Sequence, residues 1–163
     1  MQSNLLPNAT LAEFYRLAVL LTGHAKAAER IMAEVLGEVQ AQFEQLRNEA
    51  NRRAWLAVRI RERCCAERPE TPPAPGLVRG AGEESGNPEL LQIEAFLVGQ
   101  RFHALPEPER SALALFHLDL FTTAEIAGIL KLTPDGLAET IGRGRNLLRE
   151  ALRAMRGPAP ESP

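Results

Sequence analysis

Cysteine is nearly absent: the 163-residue chain has two, the neighbours Cys64 and Cys65. Adjacent cysteines make a poor disulfide and no framework, so a reducing compartment, the cytoplasm, is expected. Aromatic residues make up 5%, so the core must be built from Leu, Ala, Ile and Val. His24, His103 and His117 lie far apart in sequence, and no His or Cys spacing suits a metal site. No serine sits in a nucleophile elbow, and no glycine loop follows a strand to cradle a phosphate. Gly142 and Gly144 fall inside a helical pattern instead. These absences argue against an enzyme and against any cofactor, metal or small-molecule substrate. The apolar run Leu17 to Leu21 is far too short to span a bilayer. No N-terminal targeting pattern is visible, so no membrane role is expected. The net charge of −2 lacks the basic excess of an autonomous nucleic-acid binder, so local charge must carry any such argument.

What the chain does have is helical periodicity. Alternating β-branched runs are missing and helix formers dominate, which predicts an all-α fold. Thr10-Leu11-Ala12-Glu13 has the form of a capping box. A first helix follows with Leu11, Phe14, Leu17, Ala18 and Leu21 inward, ended by Gly23. A second helix is expected over about residues 25–46, with Ala28, Ile31, Met32, Val35, Val39, Phe43 and Leu46 on one face. After a polar break at residues 48–51, a third runs over about residues 52–67, stopped by Pro69. Residues 69–88 are dense in proline and glycine and poor in apolar side chains. They read as a flexible linker between an N-terminal domain, 1–68, and a C-terminal domain, 89–163. Asn87-Pro88 is placed to cap a further helix, broken at Leu105-Pro106, and residues 157–163 read as a tail.

Three short helices are expected between His103 and Arg153. Thr122-Thr123-Ala124-Glu125 is a second capping box, followed by apolar Ile126, Ala127, Ile129 and Leu130. Lys131-Leu132 makes the turn. Thr133 is placed to cap the last helix, with Pro134 at its first position. Leu137, Ile141, Leu148 and Leu152 continue as one stripe. Two capped helices on such a turn form a helical hairpin or a helix-turn-helix, which can set its second helix in a DNA major groove.

Basic charge is unevenly spread. Between Leu46 and Arg68 there are seven arginines (47, 52, 53, 59, 61, 63, 68) against three glutamates, with Trp55 among them. Arginines beside an aromatic suit single-stranded or melted nucleic acid. The competing reading is a core Trp55, which shares a stripe with Leu56 and Val58, under a solvated arginine face. On the last helix Arg143 and Arg145 are placed to meet phosphates, but the stretch that would enter the groove, residues 133–140, holds no cation and carries Asp135 and Glu139.

Two long segments resemble the sigma-70 family of RNA polymerase sigma factors, of the extracytoplasmic-function type. LPEPER, HLD, TAEIA and RGRNLLREAL resemble that family's C-terminal domain. The LTG turn, AAER and RAWLAVRI resemble its N-terminal domain. The resemblance implies a bacterial transcription-initiation protein with a sigma-region-2-like module, a linker and a sigma-region-4-like helix-turn-helix module. It implies core RNA polymerase, bound through Glu29, Arg30, Ala33 and Glu34, and promoter DNA as partners, with an anti-sigma factor as a third. It places melted-DNA contacts at Arg52, Arg53, Arg59, Arg61 and Arg63. Duplex contacts fall to Lys131, Thr133, Thr140, Arg143 and Arg145.

The departures from the family pattern are specific. Arg30 and Ala33 stand where the polymerase-binding helix usually has Asp and Gln, and Gln40 replaces an aromatic. Cys64-Cys65-Ala66-Glu67 cuts short a basic tail. Leu120 and Lys131 occupy places often held by glycine, and Ala138-Glu139-Thr140 stands where a Lys-Ser-Arg-like run is usual. If residue 131 has a positive φ, lysine there costs about 1 kcal/mol relative to glycine. The sequence therefore carries two expectations: promoter-directed initiation, or a sigma-like decoy or cofactor that binds an anti-sigma factor, a sigma factor or polymerase without reading DNA.

Overall fold

The computed structural model describes residues 7–42, 45, 46, 48–67 and 101–156; among these there are helices and turns and no strand. The N-terminal module contains α1 (Asn8–Thr22), α2 (Ala25–Ala41) and α3 (Glu49–Ala66). The C-terminal module contains α4 (Glu109–His117), α5 (Thr123–Leu130) and α6 (Pro134–Arg156). The expected linker, 69–88, and the helix expected after Asn87 as far as residue 100 lie outside the described residues, as does the tail.

Several boundaries differ from expectation. Thr10 does not cap α1. The helix starts earlier, behind Pro7, whose carbonyl accepts from Leu11 N at 3.1 Å; the fixed φ of proline suits a helix start. Gly23 does end α1, in the left-handed region at φ 73°. The buried Thr22 hydroxyl reinforces this corner, donating to Ala18 O at 2.7 Å and accepting from His24 N at 3.2 Å. α2 stops at Ala41, short of residue 46; beyond it the Gln42 carbonyl accepts from Gln45 N at 2.9 Å and from Leu46 N at 3.2 Å. Asn48, read as part of a polar break, is the N-cap of α3, and its Oδ1 accepts from Ala50 N at 2.8 Å.

The helix-turn-helix forms as its caps dictate. Thr122 Oγ1 accepts from Glu125 N at 3.3 Å, while Glu125 Oε2 accepts from Thr122 N at 2.7 Å. These bonds hold the Glu125 carboxyl below its ordinary range. α5 ends in a Schellman motif: Leu132 N donates to Ala127 O at 2.9 Å and Lys131 N to Gly128 O at 3.2 Å. Lys131 has φ 56°, the left-handed conformation anticipated for that turn. Leu120 does not share the problem; the positive φ of that loop, 54°, falls on Asp119, a residue type that tolerates it. Lys131→Gly is expected to stabilise the fold by about 1 kcal/mol, read as a higher urea midpoint at unchanged m-value.

The two modules share one apolar core. Phe14, Leu17, Ala18 and Leu21 of α1 face Ala28, Ile31, Val35 and Val39 of α2 and Leu56, Ala57, Ile60 and Cys64 of α3. α1 also packs against α4, and α3 against α5. α4 is consequently surrounded: Ser111, Ala112, Leu113, Ala114 and Leu115 are all buried. The Phe14 and Phe121 rings meet across the seam at 6.2 Å, tilted by 58°. Burial pushes the Cys64 thiol up to about 12, which keeps it protonated at neutral pH.

Candidate nucleic-acid and partner interface

The arginines of α3 are drawn into contacts within the chain. Arg59 donates through Nε and Nη2 to Glu38 Oε2, at 2.9 and 2.7 Å, and through Nη1 to Glu62 Oε2 at 2.9 Å. Its guanidinium also lies 5.8 Å from the centre of the half-buried Trp55 ring. Arg63 donates to Glu34 Oε2 at 2.8 Å and also pairs with Glu38. Arg30 of α2 donates to Glu34 Oε1 at 3.2 Å and pairs with Glu67 beyond the end of α3. The geometry follows from spacing. Glu34 and Glu38 are four apart on α2, Arg59 and Arg63 are four apart on α3, and residues so spaced share a helix face. The Arg59 guanidinium holds the Glu38 carboxyl below its ordinary range, and Glu38 in turn pushes Arg59 up.

The rest of the α3 cations turn toward the turn before α3 or the other module. Arg52 donates to Leu46 O at 3.0 Å. Arg53 donates to Leu120 O and lies 5.4 Å from the Phe121 ring centre. Arg61 donates to Ser111 Oγ at 3.1 Å and sits 3.6 Å from Glu107. Ser111 itself donates to Glu107 Oε2 at 2.6 Å, and Arg110 donates to Glu107 Oε1 at 2.9 Å. Exposed ion pairs of this kind contribute about 0–1 kcal/mol each. Their larger effect is to neutralise the face that a phosphate backbone would need.

On α6 the expected DNA residues divide. Thr133 is exposed, and its Oγ1 accepts from Gly136 N at 3.0 Å as the N-cap. Lys131 is exposed on the turn. Thr140 is not a surface residue: it is 1% exposed, its hydroxyl donates to Gly136 O at 2.7 Å, and it accepts from Arg143 at 3.3 Å. Arg143 is exposed but donates through Nε to Glu109 at 2.9 Å. Arg145 lies 5.2 Å from the Phe116 ring centre. The outward positions at the start of α6 are Asp135, Ala138 and Glu139, which offer phosphate no attraction. Of the residues expected to meet polymerase, Glu29, Arg30 and Ala33 are exposed, and Glu34 is partly covered within its ion pairs.

Sequence reasoning missed Glu34 and Glu38 as the acceptors for α3. Their four-residue spacing opposite Arg59 and Arg63 was the available signal. It also missed the cross-module acceptors Glu107, Ser111 and Leu120 O, which no local pattern marks. A groove of about 470 Å³ beside the C-terminal half of α6 is lined by His117, Arg145, Leu148, Arg149, Leu152 and Arg153: an apolar floor with a basic rim. Among the described residues no group of three or more His, Cys, Asp or Glu side chains is arranged to hold a metal ion. Among the same residues no helix is long and apolar enough to cross a membrane.

No protein-family model matches the sequence, and no curated protein matches it. Among solved structures, the sigma factor RpoE, in its complex with the anti-sigma factor NepR from Bartonella quintana, superposes with a TM-score of 0.69 at 18% identity. The match covers 89% of this chain and 92% of that one. The chain therefore has the fold of that sigma factor, the fold its sequence resemblance led us to expect.

Proposed function

We propose that this protein acts in the control of bacterial transcription initiation as a sigma-like partner protein. It presents the sigma fold to an anti-sigma factor, a sigma factor or core polymerase in the cytoplasm, and does not itself read promoter DNA. One observation carries this reading. The guanidinium groups of α3 that would meet melted DNA are engaged within the chain by Glu34, Glu38, Glu62, Glu107, Ser111 Oγ and backbone carbonyls. The acidic, cation-free start of α6 supports the same conclusion. The groove beside α6 suits a helical protein partner, since apolar residues on the floor and arginines on the rim complement an amphipathic helix with acidic flanks. A second reading, promoter-directed initiation, draws on the correctly capped α5 and α6 and on exposed Lys131 and Thr133. It requires the α3 ion pairs to open on polymerase.

Run-off transcription with core polymerase, alongside a low-salt gel shift on duplex and single-stranded DNA, separates the two. The expected result is no specific initiation and weak, sequence-independent binding. Specific initiation above core enzyme alone would sink the partner-protein reading. Glu34→Gln with Glu38→Gln leaves Arg59 and Arg63 without their α2 carboxylates. Two recovered phosphate contacts should strengthen single-strand binding and steepen its salt dependence by roughly 1.4 log units per log unit of salt. An unchanged slope would show that these carboxylates do not mask the arginines.

A further inference from the structure

We propose that the seam between the modules is a pH-sensitive latch built on His103, which lets the C-terminal module leave α1 and α2 on acidification. Such a latch would operate whichever partner the protein serves.

His103 is the last helical residue before the turn that leads to α4. Its ring is half-buried, and Nδ1 is buried without a hydrogen-bond partner. Three groups face it from the surrounding elements. Arg110 of α4 donates to the His103 carbonyl at 3.1 Å. His24, the N-cap of α2, and the Leu21 carbonyl of α1 approach from the other module. Glu107 is held by Arg110 and approached by Arg61, so it compensates those guanidinium groups. A second proton on the imidazole would put a full charge on a half-buried ring whose Nδ1 has no hydrogen-bond partner, beside a guanidinium and a second imidazole. Such a charge is poorly tolerated where water cannot reach it.

Burial, then Arg110 and then His24 push the His103 imidazole below its ordinary value of 6.5, against the weaker opposing pull of the Leu21 carbonyl. A group lowered in the closed state binds its proton better once the seam opens. Its contribution to closure is therefore fully present above the ordinary value and is lost as pH falls below it. One proton sets the limit: the closing equilibrium weakens by up to about tenfold per pH unit.

The test is small-angle X-ray scattering of the full chain from pH 8 to pH 5, with far-UV circular dichroism on the same samples. The expected result is a radius of gyration that rises below about pH 6.5 at unchanged helix content. His103→Gln should flatten that response. In the wild-type chain the His103 ring should titrate, by NMR, below the ordinary histidine value. If His103→Gln fails to fold, Arg110→Gln should raise the His103 midpoint and shrink the response. A constant radius to pH 5, a response retained in His103→Gln, or expansion accompanied by loss of helix each overturns the latch.

Discussion

Phe14→Ala should cost about 3–5 kcal/mol of stability, a large share of the roughly 5–15 kcal/mol typical of a domain. Phe14 is 0% exposed and belongs to the stripe with Leu17, Ala18 and Leu21 that faces α2 and α3. Its ring also meets Phe121 of the other module. Truncation therefore leaves a cavity in the N-terminal core and removes an apolar tie across the seam. The two effects separate in a double-mutant cycle with Phe121→Ala, measured by urea unfolding. A tilted aromatic pair adds about 0.5–1.5 kcal/mol beyond its buried area, so the double variant should be less destabilised than the two single costs summed. Strict additivity would mean that the modules are not energetically joined at this contact.

The second large effect concerns the angle of α6. Gly144 is buried where α6 crosses α4; a Cβ there would lie 2.9 Å from Leu113 Cδ1 and 3.2 Å from Glu109 Cβ. Gly144→Leu forces the helices apart and should cost about 3 kcal/mol, the upper end of ordinary overpacking. It also disturbs the Arg143–Glu109 pair one residue away. Gly142 is the internal control, since a Cβ at that position would meet nothing within 4 Å. Gly142→Ala should raise stability by up to about 1 kcal/mol through helix propensity alone. Thermal unfolding of both variants tests the contrast. Equal effects of the same sign would show that close packing at Gly144 does not set the crossing.

Tight crossing at Gly144 sets α6 close against α4. The start of that helix nevertheless presents Asp135, Ala138 and Glu139 outward. A helix-turn-helix can thus be intact as architecture and unsuited to phosphate as a surface. Stability depends on caps and buried contacts, whereas nucleic-acid binding depends on exposed charge.

Local chemistry was legible in the amino-acid order. The Thr122–Glu125 box, the Thr133 cap, the Gly23 stop and the left-handed Lys131 each depend on residues within five positions of one another. So do the apolar stripes, because a helix places positions three and four apart on one face. The acidic start of α6 could also be read directly. The end of α2 and the start of α3 were misjudged, since a turn at Gln42 and a cap at Asn48 compete with an unbroken apolar pattern.

What no local pattern carried was the fate of the arginines and the closure of the seam. Arg53 and Arg61 find acceptors 67 and 50 residues away, and Phe14 finds Phe121. The chain order by itself determined which helices form, where they are capped and what charge each holds. Only the tertiary structure decided that the basic helix is neutralised from within, that Thr140 points inward and that the middle of α4, Ser111 to Leu115, is covered on all sides. Those outcomes depend on which faces meet, and facing surfaces are set by the packing of the whole core.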